Sequence, residues 1–436
     1  MYKVSKFTYS CVNSYNELLL YNTYNGINSF CKYPDTRYKM IFERKEKYSL
    51  NEFASKQLLE KGIIVEEEAD EEQKLFYLIM DSIKSDKLVL FINPTEKCNF
   101  RCKYCYETFA HGEMTKEKQK ELIAFVRNNI HKYSGLHVAW FGGEPLLAKD
   151  CIRTLSESFI RICNFNKRRY EASMTTNGYL LNKEVLSELL DLYIKQFQIT
   201  IDGTKDIHDR NRVTANGLGT YDKITQNLKE IKTLKRCDYS IIIRSNLTIE
   251  SFKKIDEYLE VLESYCTGDN RFSVAIFKAG NWLDKAQEDI MDQLITNDNN
   301  LKEIYTAILN SNKKINLSTL FLNPGSGTCY AGRLNNYLIC ADGSLHKCTV
   351  TFEDPNTKVG EIKSGTIKHN NYFYKMISNF NKCKDIYSCF NAPICMGNPC
   401  PIKQKSGSNC SYFKDSLDVI LQIFDKQNRF PIIMED

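Results

Sequence analysis

From Leu88 onward the chain alternates short apolar runs with amphipathic stretches. LVLFINP, LHVAWFGG, YEASMTTNG, QFQITIDG, SIIIRSNLT and RFSVAIF read as strands, and the intervening KEKQKELIAFVRNNIHKY and NKEVLSELLDLYI read as helices. Six repeated β-α units predict an α/β fold: a parallel sheet with helices outside, closing part of a TIM-like barrel. Several runs end in polar or glycine-rich tips, namely the cysteine loop, GGEP, TTNG and DGTKD. Parallel α/β folds carry their sites at the carboxyl ends of the strands, so these tips are expected on one rim.

The flanking segments follow other rhythms. SYNELLLYNTYNGINSF alternates apolar and polar positions around Asn25-Gly26 and predicts a β-hairpin. LNEFASKQLLEKG reads as a helix ending at Gly62, and DEEQKLFYLIMDSIKSD as a second helix with acids in its first turn. The acidic stretch 66–72 is expected to be a solvated helix start. Residues 1–87 thus fit a winged-helix-like module. After about residue 315 the helical pattern fades until YFKDSLDVILQIFDKQ. The stretch between holds loops, short strands and cysteines, with too little apolar content for a core of its own, a shortage that metal ligation usually makes good. The expected division is 1–87, 88–315 and 316–436.

Composition narrows the chemistry. With 436 residues the chain is long for one core. It is 42% hydrophobic and 26% charged, with a net charge of +5 and no dense Lys/Arg stripe, which argues against a nucleic-acid partner. The N-terminus has no signal-peptide core, and no run reaches the roughly 18 apolar residues of a membrane helix. A cytoplasmic, membrane-free protein is expected. There, 17 cysteines are better read as metal ligands than as disulfides. Cys11, Cys31, Cys151, Cys163, Cys237 and Cys266 are scattered and read as small buried hydrophobes or surface thiols. The rest form two groups: Cys98, Cys102 and Cys105, then Cys329, Cys340, Cys348, Cys383, Cys389, Cys395, Cys400 and Cys410. His208, His346 and the other histidines show no ligand spacing and read as structural.

The first group, Cys98-x3-Cys102-x2-Cys105, is one ligand short. A structural zinc would usually draw paired C-x2-C halves and four ligands. A four-iron cluster held at three corners keeps one iron open, which fits better, with zinc the rival. CNFRCKYC resembles the signature of the radical S-adenosylmethionine (SAM) enzymes, and WFGGEPLL, TTNG and QITIDGTKDIHDRNR follow in that family's order within residues 88–280. The resemblance implies that the open iron of a [4Fe-4S] cluster binds SAM and passes an electron into its C5′–S bond. The resulting 5′-deoxyadenosyl radical then takes a hydrogen atom from substrate. It further implies that Gly142 and Gly143 admit the SAM amino group and that Glu144 accepts hydrogen bonds from it. Asn177 and Arg244 would meet the SAM carboxylate or ribose, Thr200 and Asp202 the ribose or substrate, and Tyr104 would pack near the cluster or adenine.

The second group resembles the SPASM extension of peptide- and protein-modifying members, which implies two auxiliary four-iron clusters. Cys329, Cys348 and Cys400 would fall on the first, with Cys340 as candidate fourth ligand. Cys383, Cys389, Cys395 and Cys410 would fall on the second. The chain departs from that pattern twice: Ile386 stands where a C-x2-C pair is expected, and the usual C-x3-C is Cys395-x4-Cys400. The resemblance implies a maturase of ribosomally made peptides forming a thioether or carbon–carbon crosslink. The N-terminal module would recognise the precursor's leader by strand addition, and a flavodoxin- or ferredoxin-like donor would supply electrons. A sulfatase-maturating enzyme is the alternative, but the Asp expected after the Gly-x4-Cys motif is here Thr349. A small-molecule radical enzyme sits poorly with the N-terminal module, and a non-catalytic electron carrier would not need GGEP.

Overall fold

The computed structural model describes residues 2–34, 39, 42, 52–295, 299–363, 365–377, 383, 385–397, 400 and 414–434. Near the N-terminus, β1 (Tyr2–Val4) leads into β2 (Thr8–Val12), β3 (Leu18–Asn22) and β4 (Cys31–Tyr33), the last three forming an antiparallel sheet. β3 and β4 form the expected hairpin, but Asn25-Gly26 is not a two-residue turn. Gly26 opens a 3-10 turn, Gly26–Ser29, inside a longer connection. β3 does not alternate either; it is buried on both faces, because the C-terminal helix covers what the pattern left for solvent.

Helix α1 (Glu52–Glu60) stops before Gly62, whose φ of +71° suits glycine. β5 (Ile64–Glu66) pairs with β1, and α2 (Glu71–Lys84) is capped by the Asp70 side chain. The first turn of α2 is less solvated than the acidic run suggests. Glu71 is buried and accepts hydrogen bonds from the Ser5 hydroxyl and the Lys6 backbone N–H, tying the helix to the first strand connection.

The barrel follows. β6 (Lys87–Ile92) precedes the cysteine loop, which contains β7 (Phe100–Cys102). Then come α3 (Lys116–Asn129), β8 (Gly135–Trp140), α4 (Lys149–Phe165), β9 (Arg169–Thr176), α5 (Lys183–Asp191) and β10 (Ile194–Thr200). After α6 (Lys205–Asn211), β11 (Arg212–Thr214) and α7 (Tyr221–Lys232) the sheet resumes with β12 (Ser240–Leu247), α8 (Ile255–Cys266) and β13 (Phe272–Lys278). β6, β8, β9, β10, β12 and β13 are the six expected strands, all parallel, in the order 6-8-9-10-12-13. Leu88, Leu90 and Ile92 of β6 and Ile241 and Ile243 of β12 pack in one large core beneath the outer helices. Because side chains alternate along a strand, Gln198 and Thr200 of β10 and Arg244 and Asn246 of β12 point the other way, into the barrel mouth.

The sheet does not stop at residue 315. After α9 (Asn299–Asn310), β14 (Asn336–Ile339) pairs in parallel with β6, and β15 (Ser344–His346), β16 (Gly360–Lys363) and β17 (Thr366–His369) extend it antiparallel. The cysteine-rich segment therefore grows from the barrel edge rather than folding apart. α10 (Asn371–Ile377) and α11 (Leu417–Lys426) contribute Phe373, Leu421 and Phe424 to the large core. Phe30 stacks on Phe430 at 4.4 Å between ring centres, and Asp425 receives Asn13 Nδ2 at 2.6 Å and Lys32 Nζ at 3.3 Å. Among the described residues no helix is long and apolar enough to cross a membrane.

Candidate active-site cleft

The loop after β6 is clamped from two sides. β7 pairs antiparallel with β11, placing Cys102 opposite Arg212, and the Lys103 N–H donates to Asn211 O at 3.0 Å. On the other side stand the two glycines of GGEP. Gly142 has a φ of +104°, and a Cβ there would lie 2.6 Å from Thr95 O. A Cβ on Gly143 would lie 2.6 Å from Glu96 O and closer still to Lys97 O. These glycines are required because two backbones touch, and the partner they touch is the cysteine loop itself.

The loop brings Cys98, Cys102 and Cys105 together. Each thiol is pushed up by burial, and each of Cys98 and Cys105 feels Cys102 as a neighbouring charge; for Cys105 the value reaches about 12. Buried thiols facing one another cannot ionise together without a compensating cation, and thiolate donors suit an iron–sulfur cluster. The residues present therefore fit such a group.

A cleft of about 310 Å³ opens beside the three thiols. Tyr104, Gly142, Gly143, Asn177, Thr200 and Arg244 line it, so most of the sequence-derived contacts meet at one place. The Asn177 amide donates to Asn99 Oδ1 at 2.8 Å. Arg244 lies 4.1 Å over the Phe277 ring and donates from Nε to Asn246 Oδ1 at 2.9 Å.

Glu144 and Asp202 are placed differently: both are fully buried and neither lines the cleft. Glu144 accepts from Leu146 N at 3.1 Å, Thr176 Oγ1 at 2.7 Å and Asn177 N at 2.7 Å. Three of a carboxylate's roughly four acceptor sites are thus occupied, and Glu144 ties GGEP to TTNG. Asp202 accepts from Asn246 N at 2.8 Å and from the Tyr104 hydroxyl, while Arg212 Nη1 sits 3.8 Å away and donates to the Tyr104 oxygen at 2.7 Å. Burial pushes the Asp202 carboxyl up, opposed by Arg212 and Tyr104. Arg212 was not singled out from sequence; its only signal is its position at the end of DGTKDIHDRNR. Glu107 was missed as well. Among the described residues lining the cleft it is the only acid, its Oε2 is buried without a partner, and burial beside Glu353 and Glu96 pushes it up to about 8.

Two histidines are buried among bonded neighbours. His208 is buried, accepting from the Asp202 N–H at Nδ1 (3.2 Å) and meeting Thr220 Oγ1 at Nε2 (3.1 Å). His346 is buried against Thr357 Oγ1 at 3.2 Å.

In the C-terminal segment Cys329, Cys348 and Cys400 meet: the Cys329 thiol is raised chiefly by its contact with Cys400 and also feels Cys348. Cys340 is not with them. It lies at the end of β14 beside Glu96 and Asp342, their ligand atoms all within 4.8 Å of one another. The sequence placed it by cysteine count alone, whereas the β14–β15 turn carries it to the cysteine-loop side. Cys383 and Cys389 pack on one small core with Ile386 and Met396, and Cys395 ends the adjoining short helix Ala392–Cys395. Cys410 lies outside the described residues. Of the scattered cysteines, Cys31, Cys151, Cys163 and Cys266 are buried, Cys11 is half-buried and Cys237 is exposed. The main cleft reaches this region at Thr349 and Val350, and Thr349 Oγ1 lies 2.6 Å from the Tyr330 hydroxyl.

Residues 92–259 match the Radical SAM superfamily. Among curated proteins the chain is 30% identical over 178 residues to GTP 3′,8-cyclase of Aliarcobacter butzleri (strain RM4018), covering 40% of this chain and 50% of that one. It is 24% identical over 350 residues to the cysteine-type anaerobic sulfatase-maturating enzyme of Clostridium novyi (strain NT), covering 71% and 86%. The chain spans about half the length of the GTP 3′,8-cyclases of Aliarcobacter butzleri and Sulfurovum sp. (strain NBC37-1). Two solved structures share the fold. One is anSMEcpe with bound AdoMet and Cp18Cys peptide, with TM-score 0.60, 21% identity, and coverage of 78% of this chain and 97% of that one. The other is Streptococcus suis SuiB bound to precursor peptide SuiA, with TM-score 0.54, 16% identity, and coverage of 95% and 100%.

Proposed function

We propose that this chain, whose residues 92–259 form a radical SAM domain, is an enzyme that modifies a ribosomally made precursor peptide, forming a thioether or carbon–carbon crosslink. One observation carries the reading. A single cleft runs from the three thiols of the cysteine loop to Thr349 and Val350, next to Cys348 of the second cysteine group. Chemistry begun at the first group thus takes place against the wall of the second.

Cys98, Cys102 and Cys105 would hold a four-iron cluster, and Gly142, Asn177, Thr200 and Arg244 would face SAM. Cys329, Cys348 and Cys400 would serve one auxiliary cluster and Cys383, Cys389, Cys395 and Cys410 another. When bound, the cluster and SAM supply a one-electron cleavage that yields a hydrogen-abstracting 5′-deoxyadenosyl radical. The chain's own residues supply the setting. Burial excludes water, the Tyr104–Asp202–Arg212 network fixes the loop between Cys102 and Cys105, and Glu107 offers an unpartnered carboxylate oxygen to a substrate proton. The hairpin-and-helix module at the N-terminus supports a peptide substrate, since β2 is a sheet edge that a leader strand can extend, whereas the edge at β4 is taken by the backbone of Pro431 and Ile433, which pairs with Lys32. SuiB was solved with a precursor peptide and anSMEcpe with a peptide. Thr349 puts a hydroxyl where a sulfatase-maturating enzyme would carry a carboxylate, which weakens that second reading.

The test is anaerobic reconstitution followed by 5′-deoxyadenosine measurement with SAM and reductant, with and without candidate precursor peptides. Peptide-stimulated cleavage and a mass shift in the peptide are expected, with iron near twelve per chain for three four-iron clusters. Cleavage indifferent to every peptide, with a small molecule consumed instead, sinks the maturase reading. Formylglycine formation on a sulfatase-derived peptide would replace it with the alternative.

A further inference from the structure

A second cleft, of about 690 Å³, shares no lining residue with the first. It lies where the cysteine loop meets the β14–β15 turn, and Glu96, His111, Cys340 and Asp342 line it. One ligand atom from each of Glu96, Cys340 and Asp342 lies within 4.8 Å of the other two. The His111 ring, outside that trio, meets it at Glu96, with Nδ1 2.8 Å from Oε2. Glu96 is 2% exposed, yet its Oε1 has no hydrogen-bond partner. A buried carboxylate oxygen left bare costs on the order of 1–3 kcal/mol or more unless something meets it. Cys340 is equally deep, at 1% exposure, in the same wall. A buried carboxylate and a buried thiol, with the exposed Asp342 carboxylate beside them, repel one another as anions, and a cation is the partner that removes that repulsion.

The geometry points to a zinc site formed by Glu96, His111, Cys340 and Asp342, separate from the iron–sulfur chemistry. The donor set is one thiolate, one imidazole and two carboxylates, four ligands in all. A thiolate disfavours the hard cations Ca²⁺ and Mg²⁺, whereas zinc accepts this mixture in tetrahedral geometry. Glu96 and His111 belong to the cysteine loop, Cys340 and Asp342 to the C-terminal extension. The ion would therefore pin the loop that carries Cys98 to the strand that widens the barrel. Histidine spacing along the chain gave no hint of this, because the four ligands come from segments that only the β6–β14 pairing brings together.

The test uses full-length protein isolated anaerobically with its clusters, exposed to Zn²⁺ and then to a competing chelator. Zinc and iron are counted by mass spectrometry, and the zinc K-edge, which the iron clusters do not obscure, reports the ligands. One zinc per chain is expected, with a single sulfur at about 2.3 Å and lighter donors near 2.0 Å. Cys340→Ser and Glu96→Gln should each weaken zinc retention by at least about 100-fold, the upper range for loss of even an outer partner, and leave iron unchanged. Asp342→Asn, on the exposed turn, should lower zinc affinity without disturbing the fold, so a general collapse of the buried variants cannot imitate the result. No retained zinc in the parent protein, or a zinc shell of four sulfurs, overturns the site. So does a Cys340→Ser variant that loses about four irons, which would return Cys340 to an auxiliary cluster. None of these outcomes bears on whether the chain cleaves SAM, so the two readings fail separately.

Discussion

At the scale of single residues the cleft rests on buried polar groups whose partners are countable. Arg212 and Asp202 are 6% and 0% exposed and share the Tyr104 hydroxyl. Arg212→Gln leaves the Asp202 carboxylate without its cation and should cost about 3–5 kcal/mol, the range for breaking a buried pair. Adding Asp202→Asn should recover part of that loss, which denaturant titration of the double-mutant cycle would show. His208 sets a pH dependence. Its Nδ1 accepts the Asp202 N–H, so protonation would break that bond, and burial holds its pKa well below 6.5. The unfolded chain therefore binds a proton near pH 6.5 that the folded chain refuses. The stability His208 contributes is fully present above that pH and falls by up to about 1.4 kcal/mol per unit below it. His208→Gln should flatten the acid limb of a stability–pH curve; an unchanged slope would remove His208 from the account. Glu107→Gln should cut peptide product by about 100-fold or more, in the range of a lost acid–base group, while 5′-deoxyadenosine still forms.

At the scale of elements the decisive contact is backbone against backbone. Gly143→Ala drives a methyl into the carbonyls of Glu96 and Lys97, so the cysteine loop must shift. About four irons per chain should be lost together with SAM cleavage. Gly112→Ala, in the same loop, meets nothing nearer than Lys97 Cε at 3.7 Å and should keep both. The GGEP run was legible as a strand tip on the site's rim, but the reason for its glycines was not, because no local pattern records which loop lies against them. The six parallel strands and their helices were legible because period-2 and period-3.6 patterns are local properties. The hairpin loop at Asn25-Gly26 was misjudged for the same reason. Its residues suit a tight turn in isolation, but Gly26 sits where a Cβ would be 2.6 Å from Asn323 Oδ1, so a distant segment shapes the connection.

At the scale of the whole molecule the three expected parts share one framework. The ten-stranded sheet runs from the barrel into the cysteine-rich segment, and α11 closes the core against the N-terminal module. Phe430, stacked on Phe30, is one rivet of that contact. Phe430→Ala should cost about 3–5 kcal/mol, the range for emptying an aromatic core site. Limited proteolysis should then cut residues 1–87 sooner while the iron count stays unchanged. Simultaneous loss of iron would mean that the module and the cysteine loop unfold as one unit.

The sequence alone determined the six-strand barrel, the cleft on its carboxyl rim and the loop that groups three cysteines there, because strand period, turn residues and thiol spacing are all written along the chain. Tertiary structure decided everything that depends on residues far apart in sequence. It buried Glu144 and Asp202 behind the cleft wall, brought in Arg212 and Glu107, and separated Cys340 from Cys329, Cys348 and Cys400. The physical reason is common to all of these. A carboxylate or thiol takes its role from the donors, charges and solvent around it, and those arrive only when β14 pairs with β6 and β7 with β11.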